Sequence, residues 1–136
     1  MKRYSGIMVR HKGKVLLAKR NNKGALPGEW SIFGGSLEEG ENPGEGALRE
    51  FYEETNVKAN NEINLCGMIE RHTRDGQRIK GMMYVFCMDS EEIIKPDLNK
   101  AKDGDEHSTW AYFDVSELPT PLNPKLKEII QIVLNS

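Results

Sequence analysis

Three glutamates, Glu50, Glu53 and Glu54, stand at i, i+3 and i+4 within the run Arg49-Glu50-Phe51-Tyr52-Glu53-Glu54. On a helix of about 3.6 residues per turn they share one face, with β-carbons roughly 5–6 Å apart. Carboxylates at that spacing repel, and two of them fall at the C-terminal end of the helix, where the macrodipole is already negative. A solvated acidic face is the plain reading of such a run. Its placement argues instead for a counter-charge, and a hard divalent cation with oxygen ligands would supply one. Arg49, four residues before Glu53, neutralises only part of the cluster.

The start of this helix is equally legible. Asn42 is a good N-cap, Pro43 suits the first helical position, and Glu45 completes a spacing like that of a capping box. Gly44 and Gly46 each cost roughly 1 kcal/mol against alanine, so tertiary packing has to hold the first turn. Ala47, Leu48 and Phe51 form the stripe that faces a core, which leaves Glu50, Glu53 and Glu54 turned toward a rim. Asn56 is placed to end the helix in the left-handed conformation.

The whole segment from Gly35 to Val57 resembles the Nudix box, G-x5-E-x7-R-E-U-x-E-E-x-G-U, where U is a bulky apolar residue. Gly35, Glu41, Arg49, Glu50, Phe51, Glu53, Glu54 and Val57 occupy its fixed positions, and Asn56 alone departs, standing where the family has glycine. Asparagine tolerates positive φ best after glycine, so the turn is expected to survive. The resemblance implies an α/β fold, an α/β/α sandwich around a mixed β-sheet. It also implies hydrolysis of a nucleoside diphosphate linked to another group, with Mg²⁺ or Mn²⁺ as cofactor.

The remaining chain agrees with that architecture. Residues 5–10 and 14–20 read as strands joined at Lys12-Gly13, and 62–73 and 78–88 as a hairpin across Asp75-Gly76. Trp110 to Phe113 reads as a short strand. Asn123 to Leu134 reads as a closing amphipathic helix with Leu126, Ile129, Ile130, Val133 and Leu134 on one side. At 136 residues, 38% of them hydrophobic, the chain suits a single domain, residues 1–136, that buries about two-thirds of its unfolded surface.

Nineteen basic and twenty-one acidic residues leave a net charge of −2, which offers no general footprint for a nucleic-acid backbone. A small-molecule nucleotide is the expected partner. No apolar run approaches a membrane span, and Met1-Lys-Arg-Tyr leads into no signal-peptide core, so a cytoplasmic location is expected. Cys66 and Cys87 lack metal-ligand spacing and are expected as buried free thiols. Homodimers are frequent in the family, but the sequence shows no separate interface.

Roles follow from the resemblance. Glu50 and Glu54 are the nearest expected metal ligands, and Glu53 ligates a further ion or orients the attacking water. Arg49 positions the loop by pairing with Glu41 or Glu53. In the family the carbonyl of the glycine just before the box commonly ligates metal, which maps onto Gly34. Gly35 lets backbone approach a metal or phosphate without a β-carbon in the way. Phe33 stands where many members carry proline, and some members acting on nucleoside triphosphates have an aromatic there. Family members often place a further glutamate before a late strand. Glu106, in Asp103-Gly104-Asp105-Glu106-His107, matches it as an additional ligand or base. His107 is expected to face solvent or cap a neighbour.

Several residues carry two readings. Arg20 matches a phosphate-contacting residue of MutT-type members, or is a surface arginine at a strand end. Trp30 lines a base pocket or simply packs. Asn123 could read a base edge, although followed by Pro124 it serves first as an N-cap. Arg71, His72, Arg74, Arg78 and Lys80 could reach phosphates too, but strand alternation splits them between two faces, so most are expected to solvate their hairpin. Members specific for ADP-ribose or dinucleoside polyphosphates carry a proline or a tyrosine beyond the box, at positions held here by Thr73 and Asp75. The favoured activity is therefore a MutT-like pyrophosphohydrolase converting a nucleoside triphosphate to monophosphate and pyrophosphate. Hydrolysis of ADP-ribose, a nucleotide sugar or a dinucleoside polyphosphate is the competing reaction. A non-catalytic nucleotide sensor is the competing class.

Overall fold

The computed structural model describes residues 2–21, 28–73 and 75–135. Strand β1 (Lys2–His11) turns through Lys12 and Gly13, both at positive φ, into β2 (Lys14–Arg20). Two short strands, β3 (Trp30–Ser31) and β4 (Phe33–Ser36), lead into helix α1 (Pro43–Thr55). The hairpin of β5 (Ile63–His72) and β6 (Ile79–Asp89) follows, then β7 (His107–Asp114) and helix α2 (Pro124–Leu134). The sheet runs β3-β2-β1-β6-β5, with β4 also paired to β1 and β7 to β2. The β1–β6 pairing is parallel and the others are antiparallel, so the sheet is mixed as expected.

Alternation along the central strands builds two cores. Ile7 and Val9 of β1, with Leu16 and Ala18 of β2, face Ala47 and Phe51 of α1. Met8, Val15 and Leu17 point the other way, toward Leu126, Ile129 and Ile130 of α2. Successive strand residues face opposite sides of a sheet, so an unbroken apolar run such as Val15-Leu16-Leu17-Ala18 is what a sheet covered on both faces requires. This is the α/β/α sandwich.

Both helices begin as their sequences dictate. The Asn42 side chain accepts from the Gly44 and Glu45 amides, and Asn123 does the same for Lys125 and Leu126. Asn56 closes α1 at φ 60°, its amide donating to the Tyr52 carbonyl. Gly46, unfavourable for helix formation, is explained by packing: a β-carbon there would collide with the Leu37 side chain.

Four expectations are corrected. Cys66 and Cys87 are paired as a disulfide rather than free, because the β5–β6 register places their Cα atoms 6.0 Å apart with Cys66 at a bulge. Their separation of 21 residues gave no sign of this. Strand β7 begins at His107 rather than Trp110, and His107 is buried, not solvent-facing. Glu50 and Glu54 lie inside the fold rather than at its rim, Glu54 only 2% exposed. No helix among the described residues is long and apolar enough to cross a membrane.

Candidate active site

Helix α1, strand β4 and the segment before β7 converge on one cleft. The amide of Asp103 donates to the Glu53 carbonyl, docking the 3-10 turn Gly104–Glu106 against the end of α1. Carboxylate oxygens of Glu50, Glu53 and Asp103 then all lie within 4.8 Å of one another. Gly34, Gly35, Glu50, Asp103 and Glu106 share this cleft with Arg20 and Arg71. Most of the site residues expected from sequence thus come together.

The strand of paired glycines is shaped to the helix. A β-carbon on Gly35 would run into the Glu50 carboxylate, so only glycine lets β4 pass so close. Gly34 donates its amide to Glu54 Oε1 at 2.8 Å.

Arg49 organises the helix side. Its guanidinium pairs with both Glu41 oxygens at 2.8 and 2.9 Å, with Glu50 at 3.0 Å and with Glu53 at 3.2 Å, and donates to the Ser36 carbonyl. These bonds hold the Glu41 carboxyl down to about 2 and raise Arg49 further above its already high pKa. Arg49 thus ties Glu41, Glu50, Glu53 and the Ser36 carbonyl together. Glu50 and Glu54 are under-compensated. Burial pushes Glu50 up against the opposing pull of Arg49, and burial pushes Glu54 well up, reinforced by the Glu106 carboxyl beside it. Carboxyls in this condition fit a divalent cation, because the donor set is hard oxygen and the buried negative charge exceeds what Arg49 supplies.

The other residues divide. Phe33 is fully buried, edge-on to Phe51 and His107, so its expected contact with substrate is not supported: strand alternation turns its ring into the α1 core. Trp30 packs edge-on against Phe113, favouring the packing reading. The His107 ring is pushed down to about 4 by burial and by nearby Arg20, and its Nδ1 has no hydrogen-bond partner among the described residues. Asn123 caps α2 and also lines a second cleft, next to the first.

Two residues of the site were missed. Arg71, not singled out from a cluster expected mostly to solvate the hairpin, lines both clefts, 5.0 Å from the Tyr4 ring, and is pushed down by burial and by Arg20. Asp103 joins Glu50 and Glu53 where Glu106 alone had been singled out. Strand parity was available as a signal for Arg71, since Ile69, two residues earlier, lies on the α2 face and lines the second cleft. Asp103 had no comparable signal. Arg74 lies outside the described residues.

A two-faced sandwich carrying a carboxylate cluster on a glycine-flanked helix defines the class of protein. Residues 2–132 match the NUDIX domain, and the chain belongs to the Nudix family. It is 30% identical over 141 residues to the RNA pyrophosphohydrolase of Bartonella quintana, spanning 88% of this chain and 79% of that protein. It is 28% identical to the RNA pyrophosphohydrolase of Brucella ovis, spanning 95% and 83%. The crystal structure of a MutT NUDIX hydrolase from Burkholderia pseudomallei superposes with a TM-score of 0.79 at 19% identity, covering 96% of this chain and 95% of that one.

Proposed function

We propose that this single Nudix unit hydrolyses a nucleoside triphosphate, with Mg²⁺ or Mn²⁺, to nucleoside monophosphate and pyrophosphate. One observation carries the reading: converging carboxylates share a cleft with two guanidiniums, Arg20 and Arg71, that have no carboxylate hydrogen-bonded to them among the described residues. That layout matches a polyphosphate bridged to protein acids by a cation on one side and neutralised by arginine on the other.

In this reading Glu50, Glu53, Glu54 and Asp103 hold the metal, with Gly34 at its edge. Bound there, a divalent ion neutralises phosphate charge and lowers the pKa of a coordinated water. Arg20 and Arg71 grip the phosphates. Glu106 shares the cleft and is placed to receive a proton from the attacking water or to complete the ligand set. Arg49 positions the glutamates without touching substrate.

A second substrate is favoured by a specific feature. Lys2 and Lys80 join Arg71 around the Tyr4 ring, each 5.8 Å from its centroid, which extends positive charge beyond the cleft. With relatives named RNA pyrophosphohydrolase, this supports the 5′-triphosphate end of an RNA as substrate. The test is incubation with Mg²⁺ and nucleoside triphosphates, ADP-ribose, a dinucleoside polyphosphate and a 5′-triphosphorylated oligoribonucleotide, with products resolved by chromatography. Pyrophosphate from a free triphosphate supports the principal reading. Faster release from the oligoribonucleotide supports the second. Cleavage of bridged diphosphates alone, or binding without products, defeats both.

A further inference from the structure

Beside the carboxylate site lies a cleft of about 240 Å³, joined to it by Arg20 and Arg71, which line both. Its floor is apolar, formed by Ile32, Ile69, Met83 and Leu126. A flat ring seated there would leave its attached phosphates at the two arginines. Two of the polar groups around this floor, Glu29 and Asn123, have a fixed hydrogen-bonding sense.

Glu29 is the first. Its carboxylate is half-buried and lines the cleft, and among the described residues it makes no hydrogen bond or ion pair. Arg20 and Arg71 act on it only at a distance. A carboxylate held in this way is an acceptor awaiting donors. Asn123 is the second. Its Oδ1 is occupied by the Lys125 and Leu126 amides, at 2.8 and 3.2 Å, so only its amide NH₂ remains for the cleft. The capping role thus determines what Asn123 can offer: donors alone.

An acceptor at Glu29 and a donor at Asn123 complement a base edge that presents two adjacent N–H donors beside an acceptor. Guanine carries that pattern in N1–H, N2–H and O6. Adenine turns an unprotonated ring nitrogen toward the carboxylate, and hypoxanthine lacks the second N–H.

We propose that Glu29 is a specificity-determining residue that selects guanine nucleotides by accepting both N–H groups of the base. This deepens the triphosphate reading and rests on it for the placement of the phosphates. Paired contacts of this kind typically discriminate by about ten- to a hundredfold.

Calorimetric titration with GMP, IMP and AMP reads base selection without turnover, alongside kcat and KM for GTP and ATP. GMP is expected to bind at least about tenfold tighter than AMP, with IMP between them. Glu29→Gln should bring GMP and AMP within about threefold, its effect on GTP falling on KM rather than kcat. Asn123→Asp keeps a capping oxygen but loses the donor, and should weaken GMP binding without lowering the melting temperature. Equal affinity for GMP and AMP in the unaltered protein, or an undiminished preference in Glu29→Gln, would overturn the assignment. Selective GMP binding with no hydrolysis of any triphosphate would leave it standing while removing the proposed reaction.

Discussion

Arg49 and the pair Arg20 and Arg71 lie beside the same cleft, but their surroundings differ sharply. Arg49 bonds to Glu41, Glu50, Glu53 and a backbone carbonyl, spending every face of its guanidinium. Arg20 and Arg71 have no hydrogen-bonded carboxylate among the described residues, and the Arg20 charge opposes that of Arg71. An arginine saturated by its own protein stiffens the fold around it, whereas one left with open donors beside a cleft retains binding capacity for an anion. The two glutamate groups divide in the same way. Glu41 is held down by Arg49, while Glu54 is held up by burial among other acids.

The largest effect expected is on the carboxylates proposed to hold the metal. Glu53→Gln and Glu54→Gln keep side-chain shape and remove charge, and each should lower kcat by about 10²–10⁴ with an unchanged circular dichroism spectrum. Glu54→Gln should also raise the melting temperature of the metal-free protein near neutral pH, because a carboxyl whose folded pKa is raised costs stability once ionised. Near-normal turnover in either variant would break the assignment.

The arginines themselves give the next largest effect, and the sharpest test. Arg71→Ala or Arg20→Ala should lower kcat/KM by about 10- to 100-fold while leaving the melting temperature unchanged or slightly higher, since one of two like charges is gone. Arg49→Ala should instead destabilise the protein by about 2 kcal/mol, because it strands several carboxylates. Chemical denaturation followed by fluorescence would separate the two outcomes. Equal destabilisation by Arg71→Ala and Arg49→Ala would erase the distinction.

The smallest effect concerns His107, buried between Phe33 and the Arg20 end of β2. Its folded pKa is lowered to about 4 from an ordinary 6.5, so the unfolded chain binds the extra proton first. Stability from this group is complete above pH 6.5 and is lost as pH falls toward 4, about 3 kcal/mol in all. His107→Phe should flatten that part of the pH dependence of the melting temperature. An identical acid profile in the variant would show that other groups carry it.

What was readable from residues alone follows from interactions short in sequence. Asn42, Pro43, Glu50, Glu53, Glu54 and Asn56 act within a few residues of one another, and helical spacing suffices to place them. The Val15–Ala18 run announces a strand covered on both sides. Phe33, Arg71, His107 and the Cys66–Cys87 pair were misjudged because their surroundings come from distant segments. His107 is buried by a strand that starts earlier than its apolar residues suggest, and the cysteines meet through hairpin register at a bulge.

By itself, then, the amino-acid order specified the capped acidic helix, the layered α/β arrangement and the carboxyl groups available for a cation. Only the folded molecule decided that Glu54 lies deep beside Gly34, that Asp103 joins Glu50 and Glu53, and that Arg71 faces the cleft with Arg20. The reason is physical. Local spacing settles which side chains share a helical face, but burial and net charge at a point in space are sums over every segment that arrives there.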